Sequence, residues 1–143
     1  MSESLDDLVR RFFAAFDNRA GTVVNLNAIR GCFAQGAIVF RSSAGSRETM
    51  TVDQFIEPRQ ALLTNGSLVD FHEWEVEAST FLYGEIACRT LRYRKEGMLN
   101  GAPLSGEGRK SIHLVRIDGH WRITSIIWQD SDAALPIDSV VVR

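Results

Sequence analysis

A small set of side chains in this sequence could do chemistry. Its histidines are His72, His113 and His120, and carboxylates that could orient an imidazole stand at Asp70 and Asp130. Two imidazoles turned onto one cavity would exchange protons near neutral pH, and a carboxylate beside either would fix its tautomer. Such a set suits proton abstraction beside a carbonyl, followed by loss of water or a double-bond shift. The planar fork of Arg41 suits a ligand carboxylate; its plainer role is a surface pair with the Glu48 region. The other groups have plainer roles too: His113 as a hydrogen-bonded core histidine, His72 at a pocket rim, Asp130 as a cap on the following loop, Asp70 as an exposed carboxylate. Cys88, on an apolar strand, reads as structural burial rather than as a nucleophile.

Other chemistries lack their residues. The two cysteines, Cys32 and Cys88, have no CxxC spacing, and no three histidines or carboxylates have metal-ligand spacing, so neither a metal nor a cofactor is expected. No glycine-rich phosphate loop precedes a helix; the segment from Gly97 to Gly108 reads as a hairpin loop between strands. Nor is there the basic–aromatic interleaving of an RNA-binding surface.

The elements that position these residues follow from composition and period. The 143 residues are 45% hydrophobic and 24% charged, which suits a single domain over 1–143 with a core at about 4–130 and a tail over 131–143. A net charge of -2 argues against a nucleic-acid partner. The acidic stretch from Met1 to Asp7 lacks the pattern of a signal peptide, and the apolar runs are too short to span a membrane. With the sparse cysteines, this leads us to expect a cytoplasmic protein.

Leu5, Leu8, Val9, Phe12, Phe13 and Phe16 fall at helical spacing, with Ser4 as N-cap and Asp6 and Asp7 in the first turn. A second helical segment runs from Leu26 to Phe33 and stops at Gly36. A strand is predicted over Ala37 to Ser42, then a polar loop from Ser43 to Met50. Thr51 and Gln54 make a capping box that opens a third helix, which Pro58 should kink or split. After Asn65-Gly66 the period becomes two. Trp74, Val76 and Ala78 alternate with Glu73, Glu75 and Glu77, so the glutamates are expected to face solvent. Further strands are predicted over Glu85 to Lys95, Arg109 to Ile117 and Trp121 to Asp130, the last two joined by an Asp118-Gly119 turn. Helices first and antiparallel strands after define an α+β class.

This order resembles the nuclear transport factor 2-like superfamily, which includes steroid Δ-isomerase, scytalone dehydratase and the SnoaL-like cyclases. The resemblance rests on the opening helix Leu8 to Asp17, the strand Ala37 to Arg41 and the closing hairpin His113 to Ile123. It implies a cone-shaped, cystatin-like fold: three N-terminal helices packed on a strongly curved antiparallel sheet around a deep apolar pocket. The outer sheet face would form a homodimer. Matching the closing hairpin to the isomerase pattern turns Arg109, Ser111, His113 and Val115 inward, with Thr124, Ile126, Trp128 and Asp130. Asp70, His72, Trp74 and Val76, and Ile86, Cys88, Thr90 and Arg92, would face in beside them. Phe12, Phe16, Phe40, Trp74, Cys88, Val115, Ile126 and Trp128 are then the candidate ligand contacts, with Arg41 as the clamp. Trp121, Ile123 and Ile127 would form the outer apolar row that a partner covers.

The isomerase machinery itself is absent. Its tyrosine, its base and its protonated acid correspond to Phe12, Arg41 and His113; all three depart, Phe12 having no donor and Arg41 being no base at neutral pH. Three function classes fit the sequence. One is a cofactor-free isomerase or lyase using His113, His72 and Asp130 on a small carbonyl- or carboxylate-bearing metabolite. The second is a binding module with the same pocket and no turnover, and the third is a structural dimer.

Overall fold

The computed structural model describes residues 2–143; Met1, the first residue of the expected domain, lies outside the described residues. Helix α1 spans Leu5–Ala14. Ser4 caps it by accepting from the Asp7 amide at 3.1 Å, and Leu8, Val9, Phe12 and Phe13 bury one face. The second segment is a 3-10 helix, Leu26–Cys32, preceded by a 3-10 turn at Arg19–Gly21. Helix α2 spans Val52–Thr64 and carries the complete Thr51/Gln54 capping box. Pro58 lies inside it without splitting it, and the helix runs through as one element.

Two side-chain amides tie these pieces together. Gln60 of α2 accepts from the Leu26 amide at 2.7 Å and donates to the Val24 carbonyl at 2.9 Å. Buried Asn18 donates to the Leu63 and Leu68 carbonyls and accepts from the Phe71 amide. It thereby joins the end of α1 to α2 and to the first long strand, with its amide group fully bonded.

Six strands make one sheet in the order β2-β1-β6-β5-β4-β3. They are β1 Phe33–Ser43, β2 Ser46–Thr51, β3 Leu68–Tyr83, β4 Ile86–Leu99, β5 Ala102–Ile117 and β6 His120–Asp130. The sheet is mixed rather than antiparallel throughout, because β1 runs parallel to β6. Two expected loops are strands. Ser46–Thr51 pairs with β1, and Gly97 to Gly108 continues β4 and β5 around a two-residue turn at Asn100-Gly101. Both turn residues have positive φ, 50° and 81°, the conformation a tight hairpin demands.

Bulges decide which side chains face the helices. In β3 the register shifts between Val69 and His72, where Asp70 has φ 51°, and again between Glu75 and Glu77. An extra residue in one strand inverts the alternation beyond it. Phe71, Glu73 and Glu75 therefore face inward and Glu77 is exposed. On β4 and β5 the inward residues are Leu91, Tyr93 and Lys95, and Lys110, Ile112 and Leu114. The expected parity of β3, β4 and β5 is thus overturned. Arg109, Ser111, His113, Val115, Ile86, Cys88, Thr90, Arg92, His72 and Trp74 belong to the outer face, and Asp70 and Val76 are exposed at the bulges.

On β6 a further shift, opposite His113 and Leu114, leaves Trp121 and Ile123 buried below it and Ile126 and Trp128 buried above it. Trp121 and Ile123 are therefore core, not an outer row, and only Ile127 of that trio is exposed.

The physical reason for the β3 error is pairing. Glu75 accepts two hydrogen bonds from Arg89, at 2.8 and 2.9 Å, and Glu73 accepts from Lys110 at 3.0 Å. A carboxylate enters a core when a cation enters with it.

Candidate functional site

Between α1, α2 and the inner sheet face lies a cavity of about 490 Å³. Its apolar wall comes from α1 (Phe12, Phe16), α2 (Phe55, Leu63), β3 (Leu68, Phe71) and β6 (Trp128). The rings pack edge to face: Phe12 on Phe16 at 5.4 Å, Phe16 on Phe55 at 6.0 Å and Phe55 on Trp128 at 5.8 Å. Edge-to-face contact is the arrangement their quadrupoles favour.

Charged groups break this wall in three places. The first is Asp130, at the end of β6. One carboxylate oxygen accepts from the Tyr93 hydroxyl and from Lys95 at 3.2 Å, and the other accepts from Lys95 at 3.1 Å. Burial opposes the charge on Asp130, but the Tyr93 hydroxyl and the Lys95 ammonium outweigh it and hold the carboxyl below its ordinary range. Burial, followed by the hydrogen bond to Asp130, pushes the Tyr93 phenol upward, so it stays a protonated donor. Gly108 makes room for that contact. A methyl group on it would run into the Tyr93 hydroxyl and the Gln129 carbonyl, with the ring carbon that bears the hydroxyl only 2.7 Å away.

The second is Lys110, whose side chain is 6% exposed. Its ammonium donates to Glu73 at 3.0 Å and lies 4.8 to 5.9 Å from the ring centres of Phe13, Tyr93, Trp128 and Phe12. Ring faces attract a cation, so this ammonium sits in an aromatic cage closed by one carboxylate.

The third is a pair of guanidiniums. Arg59, on α2, lies over the Phe55 ring at 4.4 Å and the Trp128 ring at 5.4 Å, and donates to the Phe55 carbonyl at 3.1 Å. Arg41, on β1, pairs in register with Trp128 on one side and Glu48 on the other. Both line the cavity, and among the described residues neither has a carboxylate within 4.0 Å. Burial lowers the pKa of Arg59, and the nearby positive charge of Arg41 lowers it further. Glu48 and Glu73 oppose this shift without coming within 4.0 Å of either guanidinium, so an anion seated between the two arginines would still be favoured.

The expected site residues thus separate. Arg41, Phe12, Phe16, Trp128 and Asp130 line the cavity. Ile126 is buried in the core beneath it. His113 is exposed on the outer face, hydrogen-bonded through Nδ1 to Ser125 at 2.9 Å. His72 stacks on Trp74 on that face, with ring centres 4.4 Å apart. Cys88, Val115 and Phe40 alternate with inward residues and stand on the outer side as well. The expected convergence of His72 and His113 on Asp130 does not occur.

Arg59, Tyr93, Lys95 and Lys110 join the site without having been expected there, and Glu73, expected to face solvent, joins it too. One signal was available. The chain has fourteen arginines and only two lysines, and both lysines line the cavity. Among the described residues no group of three or more histidine, cysteine or acidic side chains could hold a metal ion, and no helix is long and apolar enough to cross a membrane.

No protein-family model and no curated protein matches the chain. Solved structures do. A nuclear transport factor 2-like superfamily protein from Salmonella enterica aligns with TM-score 0.69 and 13% identity, over 94% of this chain and 92% of its own. An uncharacterised protein of cystatin-like fold from Caulobacter vibrioides gives 0.68 and 14%, over 91% and 89%. A proposed ketosteroid isomerase from Shewanella frigidimarina gives 0.63 and 20%, over 85% and 90%. At these identities the likeness establishes the fold: the chain has the nuclear transport factor 2-like, cystatin-like α+β architecture.

Proposed function

We propose that this protein binds a small metabolite with an apolar body and a carboxylate. The body lies against the rings of Phe12, Phe16, Phe55 and Trp128, and the carboxylate sits between Arg41 and Arg59. The observation that carries this reading is the pair of cavity guanidiniums without a carboxylate partner. A guanidinium offers a planar donor fork that matches a carboxylate, and its hydrogen bonds there are charge-assisted. Asp130 is already bonded to Tyr93 and Lys95, so it repels a ligand anion only weakly and helps orient a second polar group. Fold likeness does not choose between binding and turnover, because one architecture hosts both.

Calorimetric titration with benzoate and its neutral isostere benzamide tests the reading. Benzoate should bind and benzamide should not. Arg41→Gln and Arg59→Gln should each weaken benzoate binding about tenfold to a hundredfold, the worth of one charged hydrogen-bonding partner. Equal binding of acid and amide would remove the carboxylate from the proposal.

A second observation favours self-association through the outer face. Phe81, Cys88, His113, Ser125 and Ile38 form one cross-strand row there, with Tyr83, Ile86 and Ile127 close by. Phe81 is 64% exposed and Tyr83 72%. Large apolar side chains gathered on one sheet face are a surface that a second copy covers.

A further inference from the structure

We propose that Lys110 captures a carbonyl ligand covalently, as a protonated imine with Glu73 as its counter-ion. The inference deepens the pocket reading above and rests on it for the position of the ligand. Its starting point is the distribution of basic residues. Everywhere outside the cavity this chain uses arginine, and its only two lysines are on the cavity wall. Arginine matches or exceeds lysine in pairing with a carboxylate. What lysine alone supplies is an amine that can lose its proton and form a carbon–nitrogen bond.

Of the two, Lys110 has the surroundings that chemistry needs. Its side chain is 6% exposed, against 24% for Lys95, so water that would hydrolyse an imine is largely excluded. Lys95 is held by both oxygens of Asp130. Lys110 has Glu73 alone, at 3.0 Å, and Glu73 itself lines the cavity.

The step balances without any further reactant. Glu73 takes a proton from the ammonium, and the freed amine attacks the carbonyl carbon. The carbon–oxygen π pair moves to oxygen, which takes from Glu73 the proton that Glu73 had received. Glu73 then removes a second proton from nitrogen and delivers it to the hydroxyl, which leaves as water while the carbon–nitrogen double bond forms. One ammonium and one carbonyl become one iminium and one water. The charge beside Glu73 and the four rings is unchanged, so the cage that holds the ammonium holds the iminium too.

The test is reductive trapping on the full chain. The protein is incubated with 4-formylbenzoate and sodium cyanoborohydride, then read by intact mass and peptide mapping. The expected result is one adduct per chain on Lys110, heavier than the protein by the probe less one oxygen. Lys95→Arg should keep it and Lys110→Met should lose it. If Lys110→Met does not fold, mapping of the native chain still decides, because only Lys95 and the N-terminal amine compete. No adduct, or an adduct on Lys95 or the N-terminus alone, overturns the proposal. Two further arms separate it from the carboxylate reading. Benzoate binding with no aldehyde trapped means that the pocket reading stands and the imine falls. Benzaldehyde trapped on Lys110 without any benzoate binding means the reverse.

Discussion

The Lys110–Glu73 pair makes a quantitative demand on stability. The two side chains are 6% and 15% exposed, and their charges are 3.0 Å apart. At an effective dielectric of about 20, that separation corresponds to roughly 5.5 kcal/mol of attraction, set against several kcal/mol lost per ion on leaving water. The intact pair therefore adds little net stability, whereas removing one partner strands a buried charge. Glu73→Leu should cost about 3 to 5 kcal/mol. The four rings around the ammonium offset part of this, about 0.5 to 2 kcal/mol. In a chain of this length a net loss near 3 kcal/mol lowers Tm by roughly 10 °C. The double variant Glu73→Leu/Lys110→Met replaces the pair with apolar groups and should recover most of the loss, because no charge is left stranded. Urea unfolding of the native chain, both single variants and the double variant closes the cycle. A Glu73→Leu loss below about 1 kcal/mol, with no recovery in the double variant, would mean the ammonium is solvated. That outcome would refute the dry cage and remove the setting the imine requires.

Asp130 makes a pH-dependent demand. Its folded pKa is depressed below the ordinary 3.8, so its stabilising charge is present above that value and is lost as pH falls through the folded value. Asp130→Asn should therefore be less stable than the native chain at pH 7, with the gap closing only below about pH 4; a gap unchanged down to pH 2 would deny the carboxylate its role. Gly108→Ala should push the Tyr93 hydroxyl off Asp130 and destabilise the fold by about 1 to 3 kcal/mol, read as a lower urea midpoint. On the outer face, Ile127→Lys should shift light-scattering mass from dimer to monomer without changing the far-ultraviolet spectrum, and a monomeric native chain would dismiss that interface.

The architecture was legible because most element signals are local. The Ser4 and Thr51 caps, the helical spacing of Leu8, Phe12 and Phe16, and the Asp118-Gly119 turn each act over a few residues, and each reappears in the structure. Facing is not local in the same way. The inward set of β3 depends on two extra residues, and nothing in Val69-Asp70-Phe71 or Glu75-Val76-Glu77 announces a bulge. Once β3 inverts, β4 and β5 follow through the ladder, since Tyr93 pairs with Gly108 and Leu91 with Lys110. The glutamate row on β3 and the hairpin match on β5 both point to the opposite parity, so the expectation placed His72, Cys88 and His113 on the wrong face together. Asp130 kept its place because the β6 bulge lies well before it.

The inversion also changes the chemistry that the fold can support. The rule that glutamates face solvent treats a carboxylate singly, whereas here each inward-facing acid arrives with a cation: Glu75 with Arg89 of the adjacent strand, and Glu73 and Asp130 with Lys110 and Lys95, each reaching across one intervening strand. Within this set the identity of the cation varies with position. Arg89 closes the lower core, where it bridges Glu75, Thr80 and Asp6. At the cavity the partners are lysines. For bridging alone a guanidinium is better suited, since its fork meets both oxygens of a carboxylate at once. Of the two lysines, Lys95 is engaged by both oxygens of Asp130, and Lys110 is the amine that the proposed imine requires.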